Sequence, residues 1–261
     1  MTADDNVTIS PPFGYREIVP LQKTDRVLMP GGSTPEFCKA TNTLAISSGE
    51  FVTVARDYPI AFARGEDNSY APVALLGLAE GQNLFVDESG AWTPEHYLPA
   101  YIRRFPFCLA RVVTDGKTRT DRIVCVEKSY LDAGGIALYD DAGKSTTNWS
   151  AFEQLLQNYE RDLELTAQMC EAFAKLDLFE AFEFKIMNGE DVALAIKGMF
   201  RIDEKRLLDL KPASHKALVT KGFMGKIYAH FFSLENFARL YQRAMAQAAE
   251  REKRQHEQIQ R

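Results

Sequence analysis

The chain of 261 residues is 46% hydrophobic and 26% charged, a composition typical of globular proteins, and its length allows one large domain or two modest ones. The net charge of −5 excludes a broad electrostatic attraction for nucleic acid or anionic lipid, so no nucleic-acid partner is predicted. The most apolar stretches are far shorter than the ~20 residues that span a bilayer, and we expect no integral membrane segment.

The first residues are acidic where a secretory signal peptide would be basic. Asp4 and Asp5 occupy that region, and no apolar stretch follows them. We therefore predict a cytoplasmic protein, with non-classical export to the cell surface as the alternative. Residues 1–13 are predicted to form a flexible tail.

Four cysteines lie far apart in a chain that is large enough to fold without disulfides: Cys38, Cys108, Cys125 and Cys170. This distribution favours free, reduced thiols. No pair of cysteines has the close spacing of a zinc site, and the histidines form no known ligand motif. The sequence predicts neither a metal nor a cofactor.

Residues 14–147 carry mainly strand patterns. Apolar runs alternate with turn-rich segments, which predicts antiparallel strands at 16–21, 58–64, 71–77, 83–87, 108–113 and 122–131. Ser47 and Glu50 have the spacing of a capping box. They predict a short helix through about Ala55, which the sequence Asp57-Tyr58-Pro59 would end.

Residues 148–249 change to helical periodicity. Apolar side chains recur every three or four residues from Phe152 to Phe173, which predicts a long helix that ends near Leu176. Ser150 and Glu153 form a possible capping box near its start. Alternating apolar residues on both sides of Asn188-Gly189 then predict a β-hairpin with a type I′ turn.

Further signals predict three more helices. Asp203 and Pro212 can open two short helices, and Gly222 can end the second. A final helix from about Ser233 is expected to bury Phe237, Leu240, Tyr241 and Met245. Residues 250–261 are predicted to be a charged tail, helical or frayed.

These elements predict a single α+β domain over residues 14–249. Its N-terminal half (14–147) is mainly antiparallel β-structure, packed with a C-terminal half (148–249) of long helices and a β-hairpin.

The chain lacks the motifs of common catalytic and nucleotide-binding sites. The sequence Ala142–Thr146 ends like a phosphate-binding loop, but Leu138 stands where that loop requires glycine, so we interpret it as a turn. His230 lies in an apolar run and is interpreted as a core histidine rather than a catalyst. No acid–base pair of carboxylates can be singled out from one sequence.

The segment Tyr97–Phe107, YLPAYIRRFPF, combines two prolines, four aromatic residues and two adjacent arginines. Prolines at both ends predict a helix of under two turns over 99–104. On this helix Arg104 borders the buried arc, whereas Arg103 points to the opposite side. A structural role is favoured for Arg104. For Arg103, a structural role and recognition of an external anion or partner are about equally supported.

Several stretches occur in an order that matches a known family: DYPIAFAR, APVALLG, NLFVD, PAYIRRFPF and, near the end, IYAHFFSL. Over nearly the entire chain the sequence resembles the SapC family of bacterial proteins. The family is named for a gene associated with bacterial surface layers, and its members are often encoded near tryptophan-halogenase-like, cupin-like and TonB-dependent-receptor genes. The resemblance implies an accessory role and transfers no catalytic residues.

Three functional hypotheses follow. The favoured one is a cytoplasmic SapC-like accessory protein that serves a surface-layer, envelope or halogenase-linked system by binding a protein or small molecule rather than by catalysis. The second is an enzyme or enzyme subunit with a site near Trp92, His96 and Arg103. The third is a structural component of a surface layer. A homo-oligomer is compatible with each.

The candidate residues for ligand or partner binding are Trp92, His96, Arg103 and Arg104. A cavity lined by such polar groups, with a titratable residue nearby, would favour the enzyme. A flat apolar patch would favour partner binding.

Overall fold

The computed structural model describes residues 10–114, 117–188 and 191–259. The fold is α+β, with antiparallel sheets in the N-terminal half and helices with a β-hairpin in the C-terminal half. Backbone contacts divide the chain into two compact units. Unit 1 contains the described residues up to Cys38 together with Ile102–Arg161; unit 2 contains Lys39–Tyr101 and the described residues from Asp162 onwards. That residues 14–249 fold as one domain stays a prediction.

The strands within the described ranges are β1 (Ile18–Pro20), β2 (Arg26–Val27), β3 (Thr43–Ala45), β4 (Ile60–Arg64), β5 (Tyr70–Leu75), β6 (Phe107–Thr114), β7 (Lys117–Glu127), β8 (Ile136–Ala137), β9 (Phe179–Asn188) and β10 (Asp191–Ile202). The α-helices are α1 (Phe51–Asp57), α2 (Ala100–Arg103), α3 (Thr147–Lys175), α4 (Glu204–Leu208), α5 (Pro212–Thr220), α6 (Phe223–Ser233) and α7 (Asn236–Ile259). None of these helices combines the length and apolarity that a bilayer span requires.

Unit 1 contains two small antiparallel sheets. One has the strand order β1-β7-β6, and the other pairs β2 with β8. In the larger sheet Cys108 lies opposite Cys125, which confirms that both cysteines are in strands. The turn predicted between the strands at 108–113 and 122–131 includes residues 115–116, which lie outside the described residues.

The core of unit 1 is rich in aromatic side chains. Trp149, which is 1% exposed, packs with its ring centroid 4.7 Å from that of Phe107 on β6. A second cluster surrounds Phe105, whose ring lies 5.1 Å from Tyr15 and 5.0 Å from Tyr130. Edge-to-face and tilted pairs of this kind stabilise beyond the area that they bury.

Unit 2 is built on a five-stranded antiparallel sheet with the order β3-β5-β4-β10-β9. The predicted hairpin is confirmed as β9–β10, with Asn188 opposite Asp191, although its turn at residues 189–190 lies outside the described residues. Phe62 on β4 is fully buried. Its ring lies 4.9 Å from that of Phe179 and 5.2 Å from the His230 imidazole.

The predicted capping box of Ser47 and Glu50 is confirmed; it opens a 3-10 turn, Ser48–Glu50, which continues directly into α1. The Glu50 carboxylate accepts hydrogen bonds from the Ser47 backbone N–H at 3.0 Å and from the Ala100 backbone N–H at 2.6 Å. It also accepts from the Tyr97 hydroxyl at 3.1 Å. One buried carboxylate therefore begins the helix and fastens the chain that leads into α2.

His230 is a core histidine, as predicted. The side chain is fully buried, and burial lowers its pKa to about 4. The Ile202 backbone N–H donates to Nε2 at 3.2 Å, so Nδ1 carries the proton that is donated to the Ile60 carbonyl at 2.9 Å. The neutral imidazole joins β4 to β10.

The turn predicted at Ala142–Thr146 is also confirmed. The Asp140 carboxylate accepts hydrogen bonds from the backbone N–H groups of Ala142 at 2.9 Å and Lys144 at 2.8 Å. Gly143 has a φ of 72°, in the left-handed region that glycine adopts readily.

The strand predicted at 83–87 is wrong. The Asn83 side-chain oxygen accepts a hydrogen bond from the Phe85 backbone N–H at 2.8 Å, which folds the chain into a turn. Leu84 and Phe85 are consecutive and both buried, whereas a strand would place them on opposite faces. Only an isolated bridge between Val86 and Trp92 remains in this segment.

Three predictions about helices are also wrong. Helix α3 begins at Thr147, so Ser150 lies inside the helix and caps nothing; the Thr146 hydroxyl instead accepts from the Trp149 N–H at 3.4 Å. The sequence Thr93-Pro94 also predicts a helix N-cap followed by proline at the first helical position. The Thr93 hydroxyl instead donates to the Phe85 carbonyl at 3.1 Å, and no helix begins there. Met245 on α7 is 48% exposed rather than buried. Helix α6 was not predicted.

Candidate functional site

A cleft in unit 2 concentrates positive charge. It has a volume of about 140 Å³ and is formed by the end of α1, the segment before α2, and one face of α7. Its lining residues are Arg56, Asp57, Phe85, His96, Arg239, Leu240 and Arg243. Three guanidinium groups and one carboxylate give the cleft a net positive charge in a chain whose net charge is −5.

Helix α7 positions two of the arginines. Arg239 and Arg243 are four residues apart, so they lie on the same side of the helix one turn apart. Two like charges at this spacing destabilise a helix slightly, so local helix stability does not account for the pair.

Arg243 is held by hydrogen bonds to backbone and side chain. Its Nε donates to the Leu84 carbonyl at 2.6 Å, and Nη2 donates to the Thr93 hydroxyl at 2.6 Å. The guanidinium carbon lies 4.6 Å from the centre of the Phe85 ring, in a cation–π contact. Burial lowers the pKa of Arg243, because the charged guanidinium loses contact with water, and the nearby Tyr58 opposes this shift.

The other two arginines contact each other through the backbone. Arg239 Nη1 donates to the Asn236 side-chain oxygen at 3.2 Å and to the Arg56 carbonyl at 3.4 Å. Within the described ranges, no carboxylate oxygen lies within 4.0 Å of the guanidinium nitrogens of Arg56, Arg239 or Arg243. The positive charge of the cleft is therefore not neutralised by an ion pair inside the described protein.

Asp57 and His96 contribute the titratable groups. The Asp57 carboxylate accepts a hydrogen bond from the Tyr97 backbone N–H at 2.8 Å, so it anchors the segment that carries His96. The imidazole packs 5.2 Å from the Phe85 ring, and its Nδ1 lies 3.1 Å from the Pro94 carbonyl. Glu95 has a φ of 67°, a strained conformation for a non-glycine residue that turns the chain just before His96.

Trp92 contacts the residues that hold Phe85 and the segment of His96 in place. Its indole Nε1–H donates to the Tyr58 hydroxyl at 3.2 Å, and that hydroxyl donates to the Tyr97 carbonyl at 2.6 Å. The Trp92 ring also stacks against Phe85, with the centroids 6.1 Å apart. The structure thus brings Trp92 and His96 together around Phe85.

The two other candidate residues belong to unit 1. Arg104 is 3% exposed, and its guanidinium lies 4.9 Å from the Tyr159 ring centre and 5.7 Å from that of Tyr15. Arg103 is exposed. The prediction that Arg104 borders the buried side of the short helix and that Arg103 points to the opposite side is confirmed. The burial of Arg104 leaves little room for an external ligand.

The arginines of the cleft were not among the predicted site residues. Arg56 is separated from Arg239 and Arg243 by most of unit 2 in sequence, and only the tertiary fold brings them together. One signal was present in the sequence: two arginines at helical spacing on α7 with no acidic residue between them or within one turn on either side, except Glu235.

The cysteines offer no reactive thiolate. All four are free and buried, and burial raises the pKa of Cys38, Cys108 and Cys170 to about 12 and that of Cys125 to about 11. A thiol with such a pKa is a poor nucleophile at neutral pH. In the part of the chain that the structure describes, no group of three or more His, Cys, Asp or Glu residues is placed to hold a metal ion.

Comparison with known proteins identifies the family. No curated protein and no solved structure matches the chain. The family model SapC matches residues 27–240, which include every strand from β3 to β10 and most lining residues of the cleft. The chain belongs to the SapC family.

Proposed function

We propose that this SapC-family protein is an accessory protein that binds an anionic group of a partner or small molecule in the cationic cleft. The observation that carries the proposal is the set of three guanidinium groups, Arg56, Arg239 and Arg243, which line one cavity and have no carboxylate within ion-pair distance among the described residues. Guanidinium groups recognise carboxylates and phosphates through paired hydrogen bonds.

The size of the cleft favours binding of one group over enclosure of a substrate. Sites that enclose drug-sized ligands have volumes of roughly 300 to 1,000 Å³. The volume of about 140 Å³ suits a single carboxylate or phosphate with the rest of the ligand outside. The cleft would then act as an anchor for a larger molecule.

The cellular setting of the proposal comes from two sources. Four free cysteines support a reducing compartment, so we place the protein in the cytoplasm. The family resemblance supports service to a surface-layer, envelope or halogenase-linked system, in which the protein would present or retain a component rather than transform it.

A second candidate function is catalysis, because the cleft also contains His96 and Asp57. A neutral histidine can accept a proton at one ring nitrogen while the other donates. Two observations favour binding over this alternative. The Asp57 carboxylate already accepts the Tyr97 N–H, and the hydroxyl of Tyr58 is held by Trp92 and Tyr97. These groups fasten the walls of the cleft.

Titration with phosphate and acetate tests the proposal directly. At constant ionic strength, maintained with chloride, the wild type should show saturable thermal stabilisation by at least one of these anions. The double variant Arg56→Gln/Arg239→Gln should lose that response, because it removes two of the three positive charges of the cleft and leaves the packing of Arg243 unchanged.

Arg251→Gln is the matched control, since it removes one exposed guanidinium from the same helix outside the cleft. It should respond to the anion like the wild type. Equal responses from all three proteins would show that the cleft is not the site. The ligand itself can then be sought by purification from the native host with mass spectrometry of proteins and small molecules. Recovery of a chemically converted small molecule that depends on His96 would favour the enzyme.

A further inference from the structure

A second pocket, in unit 1, has the opposite chemistry. It has a volume of about 340 Å³, and three of its nine lining residues are aromatic, namely Phe37, Phe105 and Tyr130. The rings of Phe37 and Phe105 are 6.2 Å apart at 62°, and those of Phe105 and Tyr130 are 5.0 Å apart at 90°. The three rings therefore lie in different planes around one space.

Glu127 supplies a buried negative charge to this pocket. Glu127 lines the pocket and is only 4% exposed. Its carboxylate accepts hydrogen bonds from the backbone N–H groups of Arg16 at 2.8 Å and Glu17 at 3.3 Å, and from the Ser129 hydroxyl at 3.5 Å. These donors hold the carboxylate in place but none of them carries a positive charge.

Glu127 forms no ion pair with a described cationic side chain. Among the side chains that the structure describes, no Lys, Arg or His nitrogen lies within 4.0 Å of its carboxylate. A buried carboxylate is costly unless it is paired. A positively charged ligand in the pocket would provide the missing partner.

The rim of the pocket does not change the net negative charge of the pocket. The Arg16 guanidinium pairs with Glu36 at 2.6 Å, and both side chains are more than 80% exposed. Their charges cancel, which leaves the charge of Glu127. The pKa of Tyr130 is raised by burial and then by the negative charges of Glu127 and Glu36, as expected for a wall that faces a negative potential.

Gly14 fixes the position of one aromatic wall. It has a φ of 81°, and a Cβ atom at this position would lie 2.5 Å from Cγ of Phe37. The Phe37 ring thus lies directly against the glycine backbone. A larger residue at position 14 would displace the ring, so the pocket depends on a glycine for its shape.

We propose that this pocket binds an organic cation, an alkylammonium or guanidinium group, between the aromatic rings and the Glu127 carboxylate. Aromatic faces attract such cations through their quadrupoles, and the attraction is larger where water is excluded. The carboxylate adds a charge-assisted hydrogen bond for ligands that carry N–H groups. This site is separate from the anion-binding proposal and does not depend on it.

The cation could come from a free small molecule or from a basic side chain of a peptide. Isothermal titration of the full-length protein with choline and with N-acetyl-argininamide compares these two sources. Each has a neutral counterpart of nearly the same shape, 3,3-dimethylbutanol for choline and N-acetyl-citrullinamide for the arginine derivative. We expect at least one cation to bind at least about tenfold more tightly than its neutral counterpart, as a cation–π contact in a partly dry site provides.

Two variants locate the binding. Glu127→Gln keeps an oxygen that can accept the Arg16 N–H and removes the charge, so it should weaken cation binding about tenfold. Phe37→Leu removes an aromatic wall at a partly exposed position and should weaken it several-fold. Asp141→Asn is the matched control, since it removes the negative charge of an exposed side chain of unit 1 outside the pocket, and it should bind like the wild type.

The proposal is overturned if neither cation binds more tightly than its neutral counterpart. It is also overturned if Phe37→Leu and every folded Glu127 variant bind the cation as tightly as the wild type. Choline binding alone would identify a free small-molecule ligand, whereas preference for the arginine derivative would identify a basic peptide.

Discussion

Arg103 and Arg104 are adjacent residues with the same chemistry and different surroundings. Arg104 lies between the rings of Tyr159 and Tyr15, whereas Arg103 is exposed. We expect Arg104→Ala to lower the free energy of unfolding by about 1 to 3 kcal/mol, because the stem loses its packing and the cation–π contacts are lost. Arg103→Ala should change it by less than about 0.5 kcal/mol. Denaturant midpoints measure both effects. A larger effect for Arg103→Ala would contradict this account and remove Arg103 as a recognition residue.

His230 makes stability depend on pH. Its folded-state pKa of about 4 lies below the ordinary value of 6.5. Between these values the unfolded state binds more protons than the folded state. The contribution of neutral His230 to the free energy of unfolding is therefore fully present above pH 6.5 and is lost as the pH drops toward 4. The loss attributable to this residue is about 3 kcal/mol. Unfolding curves at several pH values should show a steeper decline for the wild type than for His230→Gln. Parallel declines would show that other groups carry the pH dependence.

At this scale the sequence predicted the local surroundings of a residue better than its distant partners. The burial of Arg104 follows from helical geometry over a few residues, and the apolar neighbours of His230 indicated a core position. By contrast, the cleft arginines meet only because α1 and α7 pack in unit 2. No local pattern in the sequence contains that contact. The same applies to Glu127, whose pocket includes residues from around position 14 to position 130.

At the scale of elements, the start of α3 offers a sharp comparison. Thr146 precedes the helix and its hydroxyl accepts the Trp149 N–H, whereas Ser150 is exposed within the helix. Thr146→Ala should cost about 0.5 to 2 kcal/mol of folding stability, the usual range for the loss of an N-cap. Ser150→Ala should be neutral or slightly stabilising, since alanine is the better helix former. Thermal or denaturant unfolding of the two variants decides between them. If Ser150→Ala were the more harmful change, the helix would begin later than the structure shows.

Elements with strong local signals were predicted and those that depend on partners were not. The hairpin β9–β10, the capping box at Glu50 and the N-cap at Asp203 follow from a few consecutive residues. The segment 83–87 has the apolar composition of a strand, but the Asn83 side chain competes for the backbone and forms a turn. The pairing of β4 with β10 joins distant parts of the chain, which strand patterns alone do not specify.

At the scale of the whole molecule, the cysteines can report whether the two units unfold together. Cys38, Cys108 and Cys125 lie in unit 1 and Cys170 lies in unit 2. Each is at most 2% exposed, so a thiol reagent should label the native protein slowly and the unfolded protein quickly. If residues 14–249 fold as one domain, all four should become reactive at the same denaturant concentration. Pulse labelling followed by peptide mass spectrometry measures this. A separate transition for Cys170 would show two independently folding domains.

The pairing of β4 with β10 also has a consequence during protein synthesis. All residues of unit 1 have been synthesised once the ribosome has passed residue 161, whereas unit 2 still lacks the residues that follow. Strand β4 has three residues that are fully buried in the final fold, Ile60, Ala61 and Phe62. Its partner β10 is synthesised only after the ribosome has translated residues 65–190. At 5 to 20 residues per second this takes roughly 6 to 25 s. For that time one edge of an apolar strand stays open to wrong pairing. The nascent chain is therefore expected to engage a chaperone at this strand, and slower translation of residues 65–190 would lengthen its exposure.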